Sequence, residues 1–180
     1  MNISQRTLSA GFVISTAVLV MIGCASPPPL PKSQETTSSE STLTEEQALA
    51  LAEKTYSSYL KVYSKLIAGG GGDISSISPF LTDERLKLEE QELKILSSEG
   101  LKIIGNPSFR SVSMNPISSD SYQLLICLSG KDTKVIDSSG KDVTPSSRPN
   151  ELPMQVTMQL SSSSTFKISE SQAWSGQNFC

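Results

Sequence analysis

The run TEEQALALAEKTYSSYLKVYSKLIAGGGG, residues 44–72, decides the first half of the fold. Thr44 and Gln47 stand three residues apart, the spacing of a capping box in which each side chain satisfies an orphan backbone donor, and Leu43 is placed to staple against the first turn. Leu49, Ala52, Tyr56, Tyr59, Tyr63 and Leu66 then recur at alternating steps of three and four, which makes one apolar helix face. Gly69 to Gly72 end it. A glycine run invites a phosphate-loop reading, but no strand precedes it and no Gly-Lys-Ser/Thr follows, so it reads as a flexible connector.

Beyond it, Ile77, Phe80 and Leu81 predict a short helical turn. Thr82 then caps a second helix over residues 83–98, with Leu86, Leu93 and Leu96 toward the core. Asp83 and Glu84 suit its first turn, and Gly100 falls just past its end. After Gly100 the period changes from helical to two. Residues 109–114, 122–128, 154–160 and 165–173 read as strands, and residues 134–137 as a short strand running into Ser138-Ser139-Gly140. Tyr122, Leu124, Ile126 and Leu128 share one face, as do Met154, Val156, Met158 and Leu160, and Ser118-Ser119-Asp120 makes a tight turn. Two to three helices followed by a run of antiparallel strands is an α+β order.

Upstream of Thr44 the composition has a different meaning. Arg6 is the one charged side chain before an uncharged apolar run, Leu8 to Gly23, which is too short to span a bilayer comfortably. That run ends in Met21-Ile22-Gly23-Cys24, which resembles a bacterial lipobox. Gly23 supplies the small residue before cleavage and Cys24 the thiol that takes the lipid. The competing reading is an uncleaved anchor with an incidental cysteine. Residues 25–42, ASPPPLPKSQETTSSEST, are too poor in apolar side chains to offset their ordering entropy and read as a tether. The expected organisation is therefore a signal peptide over 1–23, a lipidated Cys and tether over 24–43, and one α+β domain over 44–180. Two acyl chains would hold such a protein stably at the extracytoplasmic face of the cell membrane.

Charge and cysteine content narrow the chemistry. The formal net charge is −3 and the lysines are scattered among Ser, Glu and Asp, which argues against nucleic acid as a partner. Of three cysteines, lipidation takes Cys24 and leaves Cys127 and Cys180. In an exported domain these favour a disulfide over two reduced thiols, and their spacing suits no zinc site. Alternation sets Cys127 opposite the apolar face of its strand, where the tail can reach it. Histidine is absent from the sequence, which removes the Ser-His-Asp and Cys-His systems and the commonest general base. No metal or cofactor is expected. Met154 and Met158 suit core packing better than a copper site.

The long Tyr-rich helix, the second helix and the strands resemble the nuclear transport factor 2-like fold. So do Ile126-Cys127-Leu128, Val135-Ile136-Asp137-Ser138-Ser139-Gly140, Arg148-Pro149 and the closing Trp174-Ser175-Gly176-Gln177-Asn178-Phe179-Cys180. More narrowly, residues 44–180 resemble small actinobacterial lipoproteins of unassigned role carrying such a domain. The resemblance implies a cone-shaped pocket between helices and a curved, mainly antiparallel four-stranded sheet, and it transfers no catalytic residue.

Enzymes of that broader fold place acids inside the cone. Strict alternation puts Phe166, Ile168, Glu170, Gln172 and Trp174 on one face, which makes Glu170 the single candidate acid or base. A bulge, a strand end in water or a pairing with Arg110 are the competing readings. Asp120, Asp132, Asp137 and Asp142 read as solvated, Arg148 as an anion contact or a loop salt bridge, and Trp174 as an anchor for the tail. The leading expectation is a non-catalytic lipoprotein that binds a small ligand or an envelope protein. An enzyme using Glu170 is the runner-up. A transport receptor is disfavoured, because such proteins need two lobes.

Overall fold

The structure, a computed structural model, describes residues 43–180. The signal, Cys24 and nearly all of the tether lie outside the described residues. Helix α1 spans Glu45–Ala68 and starts in the expected capping box, with Thr44 N–H donating to Gln47 Oε1 at 3.0 Å and Gln47 N–H to Thr44 Oγ1 at 3.2 Å. Its buried face is Ala48, Ala52, Tyr56, Tyr59, Leu60, Leu66 and Ile67. Leu49 and Tyr63 are half-buried against it. The glycine run turns the chain out of the helix. Gly70 and Gly71 both take φ 84°, a left-handed backbone that glycine adopts without a Cβ penalty, and Gly71 N–H donates to Leu66 O at 2.9 Å.

A 3-10 helix, Ile74–Phe80, leads into helix α2, Asp83–Ser98, which Thr82 caps through Arg85 N–H. Six strands follow: β1 Lys102–Gly105, β2 Ser108–Pro116, β3 Ser121–Ser129, β4 Thr133–Ile136, β5 Glu151–Leu160 and β6 Phe166–Ala173. Four of them form an antiparallel sheet in the order β2-β3-β5-β6. β1 and β4 make a separate antiparallel pair, Lys102↔Ile136 to Gly105↔Thr133. The short strand expected near residue 134 is β4, and its partner β1 is an addition to the expected elements.

The helices lie over the face of the curved sheet that carries the core. In the register of β3 with β5, Leu124 faces Val156 and Tyr122 faces Met158. Leu124, Ile126, Val156, Met158 and Ile168 are all fully buried. Each such side chain contributes roughly 1.5–3 kcal/mol, so Met158 does the packing work expected of it. Two bulges interrupt the alternation: Val112 is the extra residue in β2 and Ser169 the extra residue in β6.

Candidate functional site

The cone is filled. Tyr56 meets Phe109 edge-on at 4.8 Å between ring centroids, Tyr122 meets Phe166 at 5.3 Å, and Tyr59 stacks on Tyr63 at 5.3 Å. Among the described residues, Tyr56, Tyr59, Leu124, Ile126, Val156 and Met158 line none of the five best-formed surface hollows.

Glu170 is not in this interior. The register runs Met158↔Ile168 and then Thr157↔Glu170, leaving Ser169 unmatched, so parity slips by one residue. Phe166 and Ile168 keep the core face, while Glu170 and Gln172 turn to the other side and are exposed. The Glu170 carboxylate accepts from Thr157 Oγ1 at 3.3 Å and does not pair with Arg110. A bulge was one of the competing readings, and here it removes the candidate acid from the cone.

The titratable groups inside belong to α1 and α2. Arg85 Nη2 pairs with Glu89 Oε2 and lies 3.0 Å from Glu92 Oε2. The Glu89 side chain is 1% exposed and that of Arg85 10%. Burial works against the Arg85 charge, yet the two carboxylates raise its pKa above the usual value. Burial, reinforced by the Glu89 charge, raises the phenols of Tyr56, Tyr59 and Tyr63. This pair was missed from the sequence, because an Arg and a Glu four apart on a helix ordinarily make a solvated surface pair. A signal was present: Arg85, Glu89, Leu93 and Leu96 fall at helical spacing on one stripe. The arrangement joins α2 to the Tyr-rich face of α1, and Arg85 and Glu89 line none of the five hollows described among these residues.

A pH dependence follows from the phenols. Their ordinary value is 10.0, and the folded protein holds them above it. Above pH 10 the unfolded chain releases protons that the folded chain keeps. Stability is therefore complete below pH 10 and falls as pH rises, by about 1.4 kcal/mol per pH unit for each of Tyr56 and Tyr59. Tyrosinate absorbance from these residues is expected to appear together with the loss of near-ultraviolet circular dichroism. Free titration in a protein that remains folded would contradict their burial.

On the opposite face of the sheet the tail folds back. Cys127 and Cys180 form the expected disulfide, with their Cα atoms 5.6 Å apart, and Cys127 is 1% exposed beneath the tail. Trp174 N–H donates to Pro153 O at 2.8 Å, the indole packs on Phe179, and Arg110 Nη2 donates to Cys180 O at 3.2 Å. A Cβ on Gly176 would stand 2.5 Å from Trp174 Nε1, so the tail crosses the indole only where no side chain intervenes. Trp174 anchors the tail, as its position suggested.

Arg148 departs from expectation. It donates to Gly130 O and Thr133 O, both at 2.8 Å, and to Thr133 Oγ1 at 3.0 Å, clamping backbone where an ion pair was expected. The turn acids are tied locally: bonds from Ser139 lower the pKa of Asp137, and those from Thr144, with Lys134, bring Asp142 to about 2.

A concavity lies between α1 and the segment from β1 to β2. A groove of about 580 Å³ is lined by Leu60, Lys61 and Lys65 on one side and by Asn106, Ser108 and Phe109 on the other. A second hollow of about 550 Å³, lined by Lys54 and Arg110, continues it through the shared Ser57 and Phe109.

No protein-family model matches the chain. A search of curated proteins likewise finds no match. Among solved structures, the intermembrane space region of the chloroplast protein ARC6 is similar at 15% identity and a TM-score of 0.56, covering 74% of this chain and 98% of that one. A ketosteroid isomerase-like protein from Erwinia carotovora atroseptica is similar at 12% identity and a TM-score of 0.48, over 72% of this chain and 98% of that one. An Ntf2-like protein involved in plasmid conjugation is similar at 11% and 0.46, over 76% and 51%. The ARC6 region shares the fold and nothing further is carried from it. Three helices followed by a curved antiparallel sheet make an α+β architecture, the fold expected from the sequence.

Proposed function

We propose that the protein is an exported lipoprotein, held at the extracytoplasmic face of the cell membrane through Cys24, whose folded domain is a non-catalytic module recognising another envelope protein through its surface. The observation that carries this reading is the filled cone. Aromatic and aliphatic side chains occupy the volume that a small ligand would need. The enzyme reading loses its support with Glu170, which is exposed on the side of the sheet away from the core. Lipidation rests on the apolar run ending in Gly23-Cys24, followed by a Pro-, Ser- and Thr-rich spacer that would lift the domain off the bilayer.

Two measurements test the reading. Cys24→Ser is expected to abolish acyl labelling and release the protein from the membrane fraction, since neither Cys127 nor Cys180 follows an apolar export run. Continued lipidation of that variant would overturn the anchor. Native mass spectrometry of the full chain released from detergent is expected to show no retained small molecule. A stoichiometric adduct would overturn surface recognition and favour a ligand in the cone.

A further inference from the structure

The two edges of the four-stranded sheet are treated differently. At β6, Leu81 bridges Ile168 and Thr82 N–H donates to Ile168 O at 3.0 Å, so the approach to α2 covers that edge around Ile168. At the other end β2 pairs with β3 alone among the described residues, which leaves its second row of backbone N–H and C=O groups without a strand. The α1 groove runs along this open side.

That groove is cationic in an acidic chain. Lys54, Lys61 and Lys65 follow one another along α1 at steps of seven and four, and Glu53 is the single acid among the lining residues; Arg110 on β2 adds a further cation, already 3.8 Å from the Glu151 carboxylate. Among the described residues none of the three lysines joins an ion pair. Between the charges lie the apolar surfaces of Leu60 and Phe109.

We propose that the groove receives an acidic, extended segment of a partner protein, which adds to β2 as a further strand along residues 108–111. This rests on the surface-recognition reading and names its site and the chemistry of its partner. Side chains of an added strand alternate between the two faces of the sheet. On one face they meet Lys61, Lys65 and Leu60; on the other they meet Arg110. The Val112 bulge ends the straight stretch, so a short segment suffices. Pairing of two copies through β2 would set like charges against one another. A flat lipid surface could not follow an edge recessed beside a helix.

The test is fluorescence anisotropy of the full chain in uncharged detergent with three labelled peptides. They are an alternating Glu-Val octapeptide, its Lys-Val counterpart, and the Glu-Val peptide N-methylated at every second residue. The first is expected to bind saturably and to weaken with salt, and the second not to bind. N-methylation, or the joint substitution Lys61→Glu and Lys65→Glu at two exposed positions, is expected to weaken the first at least about tenfold. Lys61→Gln with Lys65→Gln should weaken it less, and serves if charge reversal disturbs folding.

No binding of the Glu-Val peptide, unchanged affinity in the lysine variants, or equal binding of the N-methylated peptide would overturn the proposal. So would lysine-dependent binding to phosphatidylglycerol vesicles without peptide binding, or self-association through the same lysines in sedimentation. A peptide failure with an adduct-free native mass spectrum removes the groove alone. A retained small molecule removes the reading on which it rests.

Discussion

Glu89→Gln is expected to lower the stability of the folded domain by about 3 kcal/mol, the lower end of the cost of breaking a buried ion pair. The substitution keeps the shape of the side chain and removes its charge, leaving the Arg85 guanidinium inside with only Glu92 beside it. Glu92 has a side chain 55% exposed and is screened by water, so it compensates only in part. Glu92→Gln should accordingly cost less than about 1 kcal/mol. Replacing both partners, Arg85→Met with Glu89→Leu, should recover most of the loss, because no charge is then left to desolvate. Urea midpoints of the variants decide the matter. Equal losses for Glu89→Gln and Glu92→Gln would mean that Glu89 is not the buried partner.

Reduction of the Cys127–Cys180 bond is expected to cost roughly 2–4 kcal/mol, the loop-closure entropy of a bridge with a sequence separation of 53 less what the reduced chain recovers. The tail between Trp174 and Cys180 is otherwise held by the Trp174–Phe179 contact and a few exposed hydrogen bonds, too little to order it independently. Cys180→Ser should therefore free the tail and uncover Cys127 together. Denaturation with and without reductant reads the first effect, and alkylation of Cys127 in the folded variant reads the second. A buried, unreactive Cys127 in Cys180→Ser would show that something other than the covalent tie holds the tail down.

What could be read from the sequence was whatever is decided locally. The Thr44–Gln47 box and the stepped apolar face from Ala52 to Leu66 depend on neighbours within two turns, and both stand where they were expected. The same holds for Thr82 and α2. Features set by distant partners were not legible. β1 is only Lys-Ile-Ile-Gly and owes its state to pairing with β4, some thirty residues on. Glu170 was misplaced because alternation counts parity, and one unmatched residue, Ser169, reverses it without any Gly or Pro to mark the site. Glu89 was overlooked for another reason. A charged pair at that spacing ordinarily serves a wet helix face, and only the apolar residues on the same stripe, Leu93 and Leu96, mark this one as facing inward. The docking groove gave no sequence signal, since Lys61 and Lys65 on a helix look like any solvated lysines until β2 is set beside them.

The bond at Cys127 also has a mechanical meaning. It closes the chain from the end of β3 to Cys180 into a ring that carries β4, β5 and β6. A pull applied between Leu43 and Cys180 can lengthen only what lies outside that ring, namely the helices, β1, β2 and most of β3. Contour spanning a sequence separation of 53, roughly 180 Å when drawn straight, stays locked. Load arriving from the N-terminal side would thus peel α1 first, and the paired strands β5 and β6 could separate but never be drawn out.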